Sequence, residues 1–385
     1  MNRNSKLCCF MAEHRNWKEL LEREYGLKIK EDGAYAIFNY DEFCNFSDPV
    51  VQEARGIIID KERLEVVCWP FHKFGCWDES YADTIDWNTA RVQEKIDGSI
   101  IKVWYDSRAG YWNISTNGMI LAEFAKVDGE GMESYLDVFQ QADNYKDINF
   151  NLLCREYTYI FELVSPQTQV VIRHEKPHLY HIGTQDNTTG LELQVNVGIE
   201  QPKCYPLYSL EECKKAALEL NVAQDGKVHG VQKEGFVVVD ANWNRIKVKS
   251  TDYCMMHHLV SGTKIARTRL ISLLQKEEID IESMCRNFPS LAHYFKYYDY
   301  KVTELNYQAD VFADLSRRIF READNNRKAV ALKIKAHRLA PIGFSALDNE
   351  KSGREILAEM SIKQYCRYVP EYVPERLGAV FYGSN

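Results

Sequence analysis

The sequence predicts an α+β domain of antiparallel sheets flanked by helices over residues 1–254, followed by an all-α domain over residues 255–385. Three observations carry this. From Tyr35 to about Lys249, short β-branched and aromatic runs alternate with Gly, Asn and Asp punctuation. After about Met255, apolar residues recur at helix spacing, Gly is sparse and charged faces are long. A chain of 385 residues also has room for two cores, at roughly 150 residues each.

Taken along the chain, Trp17–Glu24 reads as a helix. Strand signals follow at Gly56–Ile59, Ile100–Tyr105, Tyr159–Val164 and Gly235–Val239. Two hairpins are expected. Ile100–Tyr105 returns through Asp106–Gly110 into Tyr111–Ser115, and Gly235–Val239 returns through Asp240–Asn244 into Arg245–Ser250. Leu210–Leu220 is a further helix. Beyond Met255, helical periodicity runs through Ile265–Gln275, Val302–Ala323 and Arg327–Leu339, and Ala340–Gly343 reads as a break.

Composition removes several classes. At 45% hydrophobic and 27% charged, the chain is neither disordered nor low-complexity. No apolar run approaches the ~18–20 residues that span a bilayer, so no membrane is expected as a partner. The apolar stretch Leu7–Ala12 is too short for the core of a secretory signal. Eleven cysteines without a C-x-x-C pair fit neither a disulfide framework nor a zinc ribbon, so reduced thiols and a cytoplasmic location are expected. The net charge of −8 argues against a basic coat for bulk nucleic-acid binding. Yet Met255–Asn385 holds 20 Lys and Arg against 16 Asp and Glu, which leaves room for a local basic track.

The chemistry concentrates around Lys95-Ile96-Asp97-Gly98-Ser99. A lysine at a strand end, followed by an Asp-Gly turn, sets an amine where backbone can approach a phosphate or nucleoside. An ordinary surface turn reads the same way. The strand Arg245–Ser250 adds weight, because alternation puts Ile246 and Val248 on the core side and Lys247 and Lys249 on the other. Two ammonium groups about 7 Å apart on one strand suit a polyphosphate. Glu234 opens the facing strand, and Glu162 sits inside the apolar run Tyr159–Val164, where an unpaired charge is costly.

In order, Lys95–Ser99, Phe161-Glu162-Leu163-Val164, Glu234-Gly235-Phe236-Val237 and Lys247-Val248-Lys249 resemble four motifs of the covalent nucleotidyltransferases, the superfamily of polynucleotide ligases and capping enzymes. Ile37-Phe38-Asn39-Tyr40, Ala54-Arg55-Gly56-Ile57 and Pro70-Phe71-His72-Lys73-Phe74 upstream, with Tyr253 downstream, narrow the resemblance to the phage RNA ligase 1 family. The helical C-terminal half is similar too, where DNA ligases and capping enzymes carry a barrel-type module. One position departs. The family has a basic residue before Gly in the strand after the nucleophile motif, and this chain reads Ser115-Thr116-Asn117-Gly118.

The resemblance implies an N-terminal adenylyltransferase domain and an ATP-dependent RNA ligase. In it, Lys95 takes AMP from ATP, AMP passes to an RNA 5′-phosphate, and an RNA 3′-hydroxyl displaces it. A lysine at its ordinary pKa of ~10.4 is unprotonated in only about one molecule in 2,500 at neutral pH. Neighbouring Lys247, Lys249 and a divalent Mg²⁺ or Mn²⁺ would each lower that value by like-charge repulsion. By resemblance, Arg55 and Lys73 contact the triphosphate, Tyr40 lies in the nucleotide pocket, Gly98 allows close backbone approach, and Glu162 and Tyr253 match positions needed for activity. Glu162 and Glu234 are expected to hold the metal or the ribose hydroxyls, and these roles stay open.

Other features read more plainly. His174, His178 and His181 have metal-like spacing, but Pro177 breaks any helix that could align them, so a surface loop is expected. No G-x-x-x-x-G-K-[ST] occurs, so an end-healing kinase/phosphatase is expected as a separate protein. His293–Lys301 fits a buried helix better than an RNA-stacking surface. Arg317, Arg318, Arg321, Arg327, Lys328, Lys333, Lys335 and Arg338 either grip RNA phosphates or form a solvated helix face. The C-terminal domain is expected to select substrate, with anticodon-loop-nicked tRNA implied by the resemblance, and the protein is expected to be a monomer. The rival readings are a DNA ligase or capping-type enzyme, and a non-catalytic RNA-binding protein on the same fold.

Overall fold

The computed structural model describes residues 2–41, 43–127, 132–260 and 265–372. These form two compact units. One runs to Leu220 and resumes at Gln232–Tyr253; the other holds Asn221–Val231 and continues from Cys254. The expected division at 254/255 does not include this excursion of residues 221–231.

In the first unit, α1 (Lys6–Glu13) and α2 (Trp17–Glu24) precede a four-stranded sheet. Its strands are β1 (Lys28–Asp32), β2 (Tyr35–Asn39), β3 (Arg55–Asp60) and β4 (Glu65–Cys68), in chain order, with α3 (Pro49–Glu53) between β2 and β3. Next come β5 (Arg91–Lys95), β6 (Ser99–Asp106) and β7 (Tyr111–Thr116). After α4 (Tyr135–Gln140) follow β8 (Tyr157–Val164), β9 (His178–Asp186), β10 (Glu192–Leu193) and β11 (Cys204–Tyr205). Then α5 (Leu210–Glu219) leads to β12 (Gly235–Val239) and β13 (Arg245–Lys249).

These strands divide into a five-stranded sheet ordered β10-β9-β8-β6-β7 and a four-stranded sheet ordered β11-β5-β12-β13, with every pairing antiparallel. The two expected hairpins are β6–β7 and β12–β13. Ile101, Val103, Tyr159, Phe161 and Leu163 bury one face of the five-stranded sheet against Val138 and Phe139 of α4. Ser134 caps α4 through its N3 amide, with Asp137 closing the reciprocal bond.

The chain passes through α6 (Thr251–Val260) into α7 (Ile265–Gln275), α8 (Ile281–Asn287), α9 (Ala292–Glu322), α10 (Arg327–Ile334), α11 (Ala340–Asp348), α12 (Gly353–Ala358) and α13 (Ile362–Tyr365). Helix α9 buries Phe295, Tyr298, Val302, Leu305, Ala309, Phe312 and Ser316, a three-and-four spacing that gives one apolar stripe. His293–Lys301 is therefore helical with its apolar side buried. The expected break at Ala340–Gly343 is instead the start of α11, because Pro341 occupies the first turn, where its missing N–H has no partner to lose.

The histidine spacing also resolves differently from a surface loop. His178 and His181 lie on β9, and His181 is buried and pushed down to about 4 by burial. Among the described residues no group of three or more His, Cys, Asp or Glu could hold a metal, and no helix is long and apolar enough to cross a membrane.

Candidate active site

Register brings the candidate residues together. Lys95 ends β5 opposite Gly235 of β12, and Gly235 stands opposite Lys249 of β13. Gln93, Val237 and Lys247 form the next row on the same face. The other face, with Val92, Phe236, Val238, Ile246 and Val248, is buried against Cys213 and Ala217 of α5. A slip of one residue would turn the lysines into that core, so burial of one face fixes the other. The backbone of Lys247 is held on its outer side as well. Its N–H donates to the Gly75 carbonyl at 3.0 Å, and its carbonyl accepts from the Trp77 N–H at 3.0 Å.

This face floors a cavity of about 510 Å³ whose walls include Arg55, Phe71, Phe74, Asn117, Glu162, Ile182 and Pro202. The volume is in the range of small-molecule sites. The Lys95 Nζ donates to Glu234 Oε2 at 2.7 Å, and Glu234 Oε1 faces Lys249 Nζ at 2.9 Å. One buried carboxylate therefore ties the candidate nucleophile to a second lysine.

The remaining charges are less compensated. Burial pushes Glu162 up to about 7, with Lys95 opposing and Glu234 adding to the shift. Among the described residues no donor bonds its carboxylate. Burial first, then repulsion from Arg55, Lys73 and Lys95, pushes Lys247 down to about 7. Lys247 has no ion pair among the described residues. It lies 4.7 Å from the Phe74 ring, which Arg55 also meets at 5.0 Å, so the aromatic face supplies part of the missing negative potential.

Behind Lys95, Asp97 is buried and fully engaged. Its Oδ2 accepts from the Val171 and Ile172 amides at 2.9 and 2.6 Å, and its Oδ1 accepts from the Tyr253 hydroxyl at 2.7 Å. Gly98 is required by close approach. A Cβ there would lie 2.5 Å from the Leu163 carbonyl oxygen and 3.1 Å from Glu162 Cγ. The turn after Lys95 is thus clamped from two sides.

Of the residues singled out in the sequence, Arg55, Lys95, Gly98, Glu162, Lys247 and Lys249 line the cavity. Glu234 meets it through Lys95 and Lys249. Lys73 lines an adjoining cavity of about 270 Å³, which shares Phe71, Phe74 and Arg245 with the first. Tyr40 lines neither; it packs on Phe46 at 5.0 Å, with the Lys73 ammonium 5.3 Å from its ring. Tyr253 is buried behind the turn and outside the lining. The sequence reading missed Asp97 as an anchor, although it lies two residues after Lys95. It also missed Arg245, which lines the cavity and makes a bidentate pair with Glu192 at 2.5 and 2.6 Å. No local pattern links residues 53 apart.

For a divalent cation the residues offer hard oxygen from Glu162, and from Glu234 if it releases a lysine. Two carboxylates suit an ion that keeps water and substrate phosphate as its other ligands.

A family profile described as RNA ligase matches residues 53–257. The chain belongs to this RNA ligase family. It is 30% identical over 297 residues to a protein of Autographa californica nuclear polyhedrosis virus named as a bifunctional polynucleotide kinase/RNA ligase, covering 71% of this chain and 41% of that one. The chain thus spans about two fifths of that relative's length. An RNA ligase of Rhodothermus phage RM378 is 25% identical over 339 residues, covering 70% of this chain and 76% of the phage protein. Among solved structures, an archaeal ATP-dependent RNA ligase aligns with a TM-score of 0.45 at 13% identity, covering 76% of this chain and 79% of that chain.

Proposed function

We propose that this protein is an ATP-dependent RNA ligase that joins RNA 5′-phosphate and 3′-hydroxyl ends through a Lys95–AMP intermediate. The observation that carries the reading is the meeting of one lysine amine, cationic Arg55, Lys247 and Lys249, and the buried carboxylates Glu162 and Glu234, around one nucleotide-sized cavity. Membership of the family supports it.

The steps follow from the groups present. Lys95 loses a proton, for which Glu234 stands 2.7 Å away, and its nitrogen attacks the α-phosphorus of ATP. A P–N bond forms, the bond to the β-phosphate breaks, and pyrophosphate leaves. Arg55, Lys247 and Lys249 hold the phosphates and offset charge on the departing group. An oxygen of the RNA 5′-phosphate then attacks the AMP phosphorus and releases Lys95. Finally the 3′-hydroxyl gives up its proton to solvent and attacks the RNA phosphorus, forming the phosphodiester and releasing AMP. Glu162 and Glu234 would hold Mg²⁺ or Mn²⁺, which when bound supplies charge neutralisation at the phosphates.

In the second unit, several of the basic residues are already engaged. Arg317 pairs with Asp314, Arg318 with Glu322 and Arg327 with Asp348. Arg321, Lys328, Lys333 and Lys335 have no ion pair among the described residues and are our candidates for RNA phosphates. Nicked tRNA is the substrate class the family resemblance favours.

The test pairs nucleotide with end. Sealing of 5′-phosphate RNA to 3′-hydroxyl RNA is expected with ATP, and loss of it in Lys95→Ala. Sealing that prefers GTP or DNA ends, or that survives Lys95→Ala, would refute the reading.

A further inference from the structure

Lys102 is a buried lysine that the reaction above does not use. It lies on β6, wholly buried, two residues beyond Ile100. It shares a sheet face with Ile100 and Glu162, both of which line the cavity. Its Nζ donates to the carbonyl of Gly56, the residue after cavity-lining Arg55. Gly56 has φ 79°, and a Cβ there would lie 2.9 Å from Lys102 Nζ and 2.8 Å from the Asn117 carbonyl oxygen. The ammonium, the Gly56 backbone and the Asn117 backbone therefore meet behind one wall of the cavity.

Two groups at this point lack what their chemistry asks for. Among the described residues no carboxylate pairs with Lys102; the ionisable groups acting on it are the Cys68 thiol and the Arg55 cation. A buried ammonium with one carbonyl acceptor and no anion is costly to hold. Asn117 lines the cavity, and its Oδ1 is buried with no hydrogen-bond partner. A purely structural tether between β3 and β6 would explain the bond to Gly56. It gives no reason for a charged group, which a neutral donor could replace at lower cost.

We propose that Lys102 is a positioning residue for the triphosphate of ATP, whose negative charge is the anion that Lys102 lacks. It fixes the start of β3, next to Arg55, through the Gly56 carbonyl. From behind the wall it supplies positive charge beside Asn117, an uncharged side chain that lines the cavity. The inference rests on the ATP-dependent reading above.

The test separates ATP use from sealing. Lys102→Met keeps the length of the side chain and removes the charge. In self-adenylylation it is expected to raise the KM for ATP about tenfold, with kcat within about threefold of wild type. Sealing of pre-adenylylated RNA without ATP should stay within about twofold, because no β- or γ-phosphate takes part in that step. Adding Asn117→Lys to Lys102→Met should return the KM to within about threefold of wild type.

An unchanged KM would overturn the proposal, as would equal losses in both reactions or no rescue by Asn117→Lys. A second measurement needs no variant. In wild-type protein carrying ¹³C-labelled lysine, α,β-methylene ATP should move the Lys102 titration up by about one unit, whereas AMP should not. Equal effects of the two nucleotides, or none, would overturn it. Failure of wild type to adenylylate itself would instead overturn the underlying reading.

Discussion

Lys247 is the lysine whose charge should respond most to a polyphosphate. Burial, then repulsion from Arg55, Lys73 and Lys95, holds it near 7, so it loses its proton as pH rises through neutrality. A bound triphosphate reverses the sign of these surroundings, and binding then restores the proton. Between pH 7 and pH 9 the charged fraction falls about 50-fold, which costs ATP binding ~2.3 kcal/mol over that range. Lys247→Arg keeps its charge throughout and removes this share of the loss. The steeper part of the alkaline fall should disappear, leaving the part set by Lys102, which burial holds near 8. The assay is calorimetric binding of α,β-methylene ATP at pH 7, 8 and 9, in two buffers of different ionisation heat. Relative to Lys247→Arg, wild type should take up about half a proton at pH 7 and nearly one at pH 9. Parallel affinity curves for the two proteins, with equal proton uptake, would show that Lys247 does not change its charge when the triphosphate binds.

Three further outcomes follow from the geometry. Gly98→Ala places a methyl group 2.5 Å from a backbone oxygen that cannot easily yield. It should slow self-adenylylation by at least about 100-fold while costing only ~1–3 kcal/mol in urea unfolding; near-normal labelling would contradict the clamp. Tyr253→Phe removes the hydroxyl that Asp97 Oδ1 accepts from at 2.7 Å. A loss of ~1–3 kcal/mol is expected, with the adenylylation rate falling more than ATP affinity, and a pure affinity defect would place Tyr253 at the nucleotide instead. Arg245→Met leaves Glu192 buried without its cation and should destabilise by ~3–5 kcal/mol, most of which Arg245→Met/Glu192→Leu should recover. No recovery in denaturant melts would show that Arg245 stabilises by packing alone.

What could be read in the sequence was local. Alternation at Ile246–Lys249 set both lysines on one face, and the structure keeps them there because the other face fills a core. The hairpins were legible for the same reason, since strand, turn and return lie within a few residues of one another. Sheet order was not. That β12 lies between β5 and β13, and so brings Lys95 and Lys249 onto either side of Glu234, depends on pairings across more than 100 residues.

Two charges in apolar strands show the limit clearly. Glu162 stood out because a short carboxylate in an apolar run has nowhere to go. Lys102 occupies an equally apolar run, but a lysine on a strand ordinarily reaches water along its own stem, so its full burial left no trace in the pattern. Asp97 looked like turn chemistry, and its partners Val171, Ile172 and Tyr253 come from distant segments. Pro341 looked like a stop and is a start, because the same ring geometry serves both and only the helix around it decides.

In the proposed reaction Lys95 becomes covalently bonded to AMP. The most direct test is to incubate wild type and Lys95→Ala with Mg²⁺ and ATP labelled at the α-phosphorus, denature both, and map the label by peptide mass spectrometry. The expected result is acid-labile AMP on the peptide holding Lys95 in wild type, with none on the variant. Label on another residue, or none on folded wild type freed of prebound AMP, would rule out Lys95 as the nucleophile.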